Sequence, residues 1–296
     1  MLLSDYISQV RELVHDLQST DWTDAELTTH VNTARERVAL DRHCVRQLFF
    51  NLSLIPTQEI YPIQGGIGGI AVLTGGSAYV TPVVAIGAPP AGGVQAAASA
   101  VVTGGVIVAI NMTNWGSGYT STPNVTITDA GGGTGATGSA VALVRVLDVS
   151  SCTVLYPGNS LSIMMGWLPW TYFQAWIRMN RNQFGFPNWY TTHTETNQLF
   201  FGRPPDQSYR LEIDAAVLPN PLVTLTDADT QVIPPNTDAV QWYAARMAMM
   251  KLQNFDQAEY YNKAYERRIM QIGQTRQGRR LTNVYNNSIM RMLRGW

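Results

Sequence analysis

Charged residues are scarce in this sequence. They make up 14% of its 296 residues, against roughly 25% in soluble domains. With so few ionic side chains, much of the surface must be neutral polar or covered by other subunits, which fits a structural protein contacted by many neighbours. Cysteine is rarer still. Cys44 and Cys152 are the only two; they form no close pair and no ligand cluster, which excludes a disulfide-stapled secreted domain and a zinc module and suits a reducing compartment. The four histidines, His15, His30, His43 and His193, lack metal-ligand spacing, and His193-Thr194-Glu195 lacks the cysteine pair of a zinc deaminase. No G-x-S-x-G, Walker A or H-E-x-x-H sequence occurs. The start of the chain has no basic region ahead of an apolar stretch, and the uncharged windows hold too much glycine and proline for a lipid-facing helix. The chain therefore reads as soluble, unprocessed and without a membrane anchor. For a cell-wall hydrolase, Glu195, Asp206, Glu212 and Asp214 are the carboxylates in play, and sequence spacing does not bring a pair together. No catalytic residue, cofactor or metal is implied, and an enzyme is the weaker class.

What is present divides the chain into three. A hydrophobic fraction of 45% with 10% aromatics is enough to bury a core across two modest domains. Between Gly65 and Leu147 the only charges are Asp129 and Arg145, yet 18 of the 25 glycines lie there. From Lys263 to Trp296 eight Lys or Arg face one acid, Glu266. Taking these from totals of 20 basic and 21 acidic residues leaves 12 against 20 elsewhere, so a basic tail follows an acidic remainder.

Leu2/Leu3, Tyr6/Ile7, Val10, Leu13/Val14 and Leu17 recur at helical spacing and predict an amphipathic helix over 3–18. Thr23-Asp24-Ala25-Glu26 has the capping-box spacing and opens a second helix over about 24–43. Residues 47–55 and 58–63 read as extended. Within the low-charge stretch, Gly75-Gly76-Ser77-Ala78-Tyr79-Val80-Thr81-Pro82 lies over Trp115-Gly116-Ser117-Gly118-Tyr119-Thr120-Ser121-Thr122-Pro123, and the match continues through the glycine runs at Gly92 and Gly131. Two copies of a β unit that cannot close a core alone are expected to pack on each other. Gly133-Thr134-Gly135-Ala136-Thr137-Gly138 fits the dinucleotide-binding pattern, but a strand rather than a helix is expected after it, so these read as turn glycines. Strands are expected again at 149–156, 160–165, 198–201 and 209–217. Pro234-Pro235-Asn236-Thr237 then starts a helix of nearly forty residues with room for a small break near Asn254.

Two stretches invite a functional reading. Trp167, Trp170, Tyr172, Phe173, Trp176, Phe184, Phe186, Trp189 and Tyr190 could stack on sugars or bases; with only Arg178 and Arg181 among them, packing at the core and at a subunit or tail interface is favoured. In the tail, Arg276, Arg279, Arg280, Arg291 and Arg294 are interspersed with Met292, Leu293 and Trp296, a mixture suited to an acidic, partly apolar protein groove at least as well as to DNA.

The order of these parts resembles the head-to-tail adaptor proteins of tailed bacteriophages, also called tail accessory factors or head completion proteins. Leu27 through Asn32-Thr33-Ala34, Ser53-Leu54-Ile55-Pro56-Thr57-Gln58-Glu59-Ile60-Tyr61-Pro62-Ile63, Gln198-Leu199-Phe200-Phe201-Gly202-Arg203-Pro204-Pro205, and Val232-Ile233-Pro234-Pro235-Asn236-Thr237 with Tyr260-Tyr261-Asn262-Lys263-Ala264-Tyr265 carry the likeness, which covers about 1–63 and 148–275. It implies an α+β chain: a mainly helical adaptor body with a small antiparallel β part, a long C-terminal helix and an extended C-terminal arm. The expected division is a body of 1–64 and 148–275, an inserted all-β domain of two repeats at 65–147, and a basic arm at 276–296. It further implies a structural virion protein at the head–tail junction, assembled in the host cytoplasm as a dodecameric ring. Its partners would be the portal protein, a tail nozzle or tube protein and its own copies, with DNA passing through the channel without sequence specificity in packaging and ejection. Arm residues Arg276, Arg279, Arg280, Arg291, Met292, Leu293, Arg294 and Trp296 would grip the portal, and the insertion would meet capsid or fibre proteins. A decorating or carbohydrate-binding virion protein, working through the β repeat and the aromatic stretch, is the alternative.

Overall fold

A computed structural model describes residues 1–277 apart from 17, 19, 157–161, 178–182 and 194. The chain forms two compact units, residues 1–45 with the chain from Leu218 onward, and Arg46–Val217. Among the described residues strand accounts for 37% and helix for 28%, which overturns the expectation of a mainly helical body. The reason is that the described part of 46–217 is built mostly on sheets: the glycine-rich stretch contributes six strands, and the segments around it build two further sheets rather than a small β appendage to helices.

The first unit is helical. α1 (Leu3–Val14) buries Leu3, Tyr6, Ile7, Val10 and Val14 along one face, each worth roughly 1.5–3 kcal/mol. It stops short of residue 18 because His15 turns left-handed (φ 59°) and the Asp16 carboxylate gathers the next turn. Asp16 accepts from the amides of Thr20 (2.8 Å), Asp21 and Trp22 and from Arg11 Nη1 at 2.8 Å. α2 (Asp24–Arg42) begins at the expected capping box, in which Thr23 Oγ1 accepts from Glu26 N and Glu26 Oε2 from Thr23 N. A one-turn helix α3 belongs to the other unit and is described below. α4 (Thr237–Lys251) packs against α1, α2 and α5 (Phe255–Gln277) through Val240, Ala244, Ala245 and Ala248, whose small side chains admit close helix approach. The break between α4 and α5 falls at Leu252–Asn254, where Gln253 is left-handed (φ 57°) and Asn254 Oδ1 accepts from Gln257 N.

The second unit holds two four-stranded sheets and the repeat. In the first sheet β1 (Arg46–Ser53), β14 (Arg210–Val217), β9 (Val146–Leu155) and β10 (Ser162–Met164) run antiparallel in that order, and alternation buries Phe49, Leu52, Leu211, Ile213, Cys152 and Val154. The second has the order β11 (Gly166–Trp167), β12 (Trp189–His193), β13 (Gln198–Gly202), β2 (Ile60–Pro62). The repeat forms β3 (Gly66–Ser77), β4 (Pro82–Ile86), β5 (Ala97–Thr103), β6 (Val106–Asn114), β7 (Val125–Asp129) and β8 (Thr134–Leu143).

Most pairing within the repeat is exchanged between its copies, with β4 also meeting β5 of its own copy at Val83↔Ser99. β3 of the first pairs with β8 of the second, β6 of the second with β5 of the first, and β4 with β7. Ile70↔Ala140 and Ile110↔Ala100 are therefore the same pair seen from either copy. The turns repeat too: Tyr79 N donates to Gly105 O and Tyr119 N to Gly65 O, while Ala136 N donates to Tyr79 Oη and Ala96 N to Tyr119 Oη. Gly76 and Gly116, at φ 62° and 65°, occupy matching left-handed positions where a Cβ would collide with the amides of Ala136 and Ala96. Ile67, Ile70, Ile107 and Ile110 fill the interior between the copies. At Gly69 a side chain would overlap Asn51 O, so this glycine lets β3 lie directly on β1.

Candidate assembly surfaces

The aromatic stretch is split between core and surface by local packing. β11 runs parallel to β12, and the Trp189 ring lies over Gly166 where no Cβ could fit, which half-buries Trp189. α3 (Trp170–Tyr172) continues as a π-helical turn, Phe173–Ile177. Its Trp170 ring stacks with Phe173 (12° between planes, 6.3 Å) and tilts against Phe200 and His193, each 4.7 Å away. Phe173 is fully buried, so it is a core residue and no surface contact. Trp167 and Tyr172 stay 55% and 68% exposed, with Met164 and Phe184 exposed in neighbouring segments. The side chain of Trp176 lies outside the described residues. Two large rings held in water on a sheet end and a rigid turn are what a protein interface core uses, because they present area at little rotamer cost.

On the helical unit, α5 buries Ala258, Tyr261, Tyr265 and Ile272 and exposes Tyr260 and Met270 along with Lys263, Arg267 and Arg268. Lys263 also pairs with Glu259 at 2.7 Å, both in water. Of the expected arm residues, Arg276 falls in the last turn of α5 with its side chain outside the described residues; Arg279, Arg280, Arg291, Met292, Leu293, Arg294 and Trp296 lie wholly outside them.

Two buried ionic clusters, absent from the sequence reading, brace this unit. Arg35 on α2 holds Asp229 by two hydrogen bonds of 2.8 Å, Nε to Oδ2 and Nη2 to Oδ1, and donates to Asn220 O at 2.7 Å. Tyr6 Oη donates to the same carboxylate. Burial pushes the Asp229 pKa up, but hydrogen bonds from Arg35 and the amides of Val232 and Gln231 outweigh it and hold the group below the ordinary carboxylate range. Burial and the Asp229 charge push the Tyr6 hydroxyl well above its usual value. Beside them, Asn32 Nδ2 donates to Leu222 O and Leu222 N to Asn32 Oδ1, so one side chain imitates a strand partner. The second cluster joins Arg11 to Asp16, Asp24 and Trp22 O. Arg35 and Asp229, 194 residues apart, give no periodic signal, which is why pattern reading passes over that pair.

An open cleft of about 480 Å³ in the β unit is lined by Tyr61, Gln64, Ser117, Thr196, Asn197 and Gln198 among others, with no carboxylate, histidine or cysteine on its wall. Asp214 is engaged by Arg46, and Asp206 accepts from Tyr209 Oη at 2.6 Å. Gly133–Gly138 leads into strand β8, not a helix, and Gly133 N donates to Asp129. Among the described residues no group of three His, Cys, Asp or Glu could hold a metal, and no helix is long and apolar enough to cross a membrane.

Comparison with curated proteins gives no match. The profile of the SU10 adaptor protein family matches residues 106–289, from β6 across the second repeat copy, the two remaining sheets apart from β1 and β2, and α4–α5. That is well over half of the chain, and it is carried on a fold with exposed apolar rings and few surface charges: the chain belongs to the SU10 adaptor protein family and is a structural adaptor of a phage virion.

Proposed function

We propose that this chain is a non-enzymatic, ring-forming head-to-tail adaptor. Its copies form a dodecameric ring beneath the portal, join it to the tail nozzle or tube, and enclose part of the DNA channel used in packaging and ejection. The observation that carries the reading is the coincidence of adaptor membership with the exposed Trp167 and Tyr172 edge on a β unit whose other large rings are mostly buried. Few surface charges favour the same role, since neutral apolar faces of identical copies do not repel one another. The basic tail supplies the portal grip, so removing residues 276–296 is expected to leave the fold intact and abolish portal attachment.

The carbohydrate-binding alternative needs rings presented to solvent. Tyr79, Trp115 and Tyr119, the three aromatics of the repeat, are all buried, which leaves the repeat without a stacking platform and the alternative resting on the exposed Trp167 and Tyr172. Cross-linking mass spectrometry on intact particles tests the adaptor reading: Lys263 is expected to link to the portal and to neighbouring copies. Recovery of the chain from the capsid surface alone, or its absence from particles, rejects it.

A further inference from the structure

The internal repeat supplies its own control for which surface residues the backbone requires. β3 and β8 run side by side from Gly66↔Leu143, where the chain enters and leaves the repeat, to Ser77↔Thr134 at the opposite end, roughly 35 Å away at about 3.3 Å per residue. The Tyr119 turn sits at the entry end, bonded to Gly65, and the Tyr79 turn at the far end, bonded to Gly105. Both turns thus make the same hydrogen bonds through equivalent residues.

Their exposed side chains differ. At the far end Leu73, Val80 and Val83 are 67%, 70% and 62% exposed. The residues in the same places at the entry end are Thr113, Thr120 and Asn124, also exposed. Val106, exposed beside Gly75 and the Tyr79 turn, matches Gly66. One position runs the other way, with Val94 at the entry end matching Thr134. Single exposed apolar residues are ordinary on any protein. Here, however, the fold accepts polar residues at the places of Leu73, Val80 and Val83 a few strands away, so packing and strand propensity do not explain the apolar choice at these three sites.

The chemistry of the far end limits what it can meet. Its one charge in sequence, Asp129, stays half-exposed, with its carboxylate held by the amides of Val80, Thr81 and Gly133. Nucleic acid finds no cation there and a glycan finds no ring. We propose that the far end of the repeat, centred on Val80 and Val83 with Leu73 and Val106, is a docking surface for another virion protein that presents an uncharged, apolar face. The identification of the occupant as a virion protein rests on adaptor family membership; its apolar, uncharged face is inferred from the exposed Leu73, Val80 and Val83 and from the single carboxylate here being already bound by three amides.

The test uses the full chain in phage particles. A photoreactive p-benzoylphenylalanine placed at position 80 is expected to cross-link to a virion protein other than this chain, at least tenfold more strongly than the same probe at position 120. Leu73→Thr with Val83→Asn, which copies the entry end onto the far end, is expected to lower that yield at least tenfold. The purified Leu73→Thr/Val80→Thr/Val83→Asn protein keeps its thermal midpoint, since the second copy already carries these residues on the same backbone. A product joining position 80 to a second copy of this chain or to a host glycan, equal labelling from positions 80 and 120, no product, or an unchanged yield in the Thr/Asn variant overturns the proposal. Links from Lys263 are read in the same particles: if they persist while position 80 fails, this surface alone is rejected, and if the chain is missing from the particles both readings fall.

Discussion

Arg35 and Asp229, 194 residues apart, meet in a buried two-point ion pair that ties α2 to the segment leading into α4. Each side chain is out of water, so each depends on the other for the hydration it has lost. Asp229→Ala is expected to destabilise the helical unit by about 3–5 kcal/mol, because it strands a buried guanidinium. Arg35→Met with Asp229→Leu, which removes both charges, is expected to cost less than the single change. Urea unfolding of the three proteins measures this; equal losses for the single and double variants would show that the pair is not the origin.

Acid sensitivity follows from the same carboxylate. Its folded pKa lies below the ordinary value of 3.8, so its contribution is complete above about pH 4 and is lost as pH falls through the lower, folded value. The wild-type protein is expected to lose stability over that window more steeply than the Arg35→Met/Asp229→Leu protein. Thermal midpoints recorded from pH 6 down to pH 2 check the difference.

Tyr119 holds the first repeat copy from the second. Its hydroxyl accepts from Ala96 N and donates to Gly87 O, both at 3.0 Å. Tyr119→Phe leaves two backbone groups without that partner and is expected to lower stability by about 1–3 kcal/mol. The amide of Ala96 should then exchange faster in hydrogen–deuterium exchange, while amides of α4 keep their protection.

Trp167 and Tyr172 separate assembly from folding. Both are exposed, so Trp167→Ser with Tyr172→Ser is expected to move stability by no more than about 0.5 kcal/mol per site. If they form an interface, incorporation into particles falls at least tenfold, as read by quantitative mass spectrometry of purified virions. Normal incorporation removes them from the assembly surface. Phe173→Ser, by contrast, is expected to unfold the β unit, since that ring is fully buried between Trp170 and Phe200.

Local rules written in adjacent residues determined a good deal by themselves. The stripe from Leu3 to Val14, the Thr23–Glu26 capping box, the start at Thr237 and the 40-residue repeat of Tyr79 and Tyr119 all depend on neighbours within a turn, a strand or one repeat period, and each can be read without knowing the fold. The break at Leu252–Asn254 was half legible, in the asparagine that caps α5. What only the tertiary structure decided depends on residues distant in sequence. Strands β3 and β8, separated by the whole repeat, exchange partners between copies. Gly69 brings β3 onto β1, which helps gather 46–217 into one β unit where the order of elements had implied a helical body. Phe173 and Trp167, six residues apart in one aromatic run, part company because Phe200 covers one ring and no described neighbour buries the other. Spacing along the chain cannot encode that outcome, since burial is set by which remote surface arrives, and the same holds for Arg35 and Asp229.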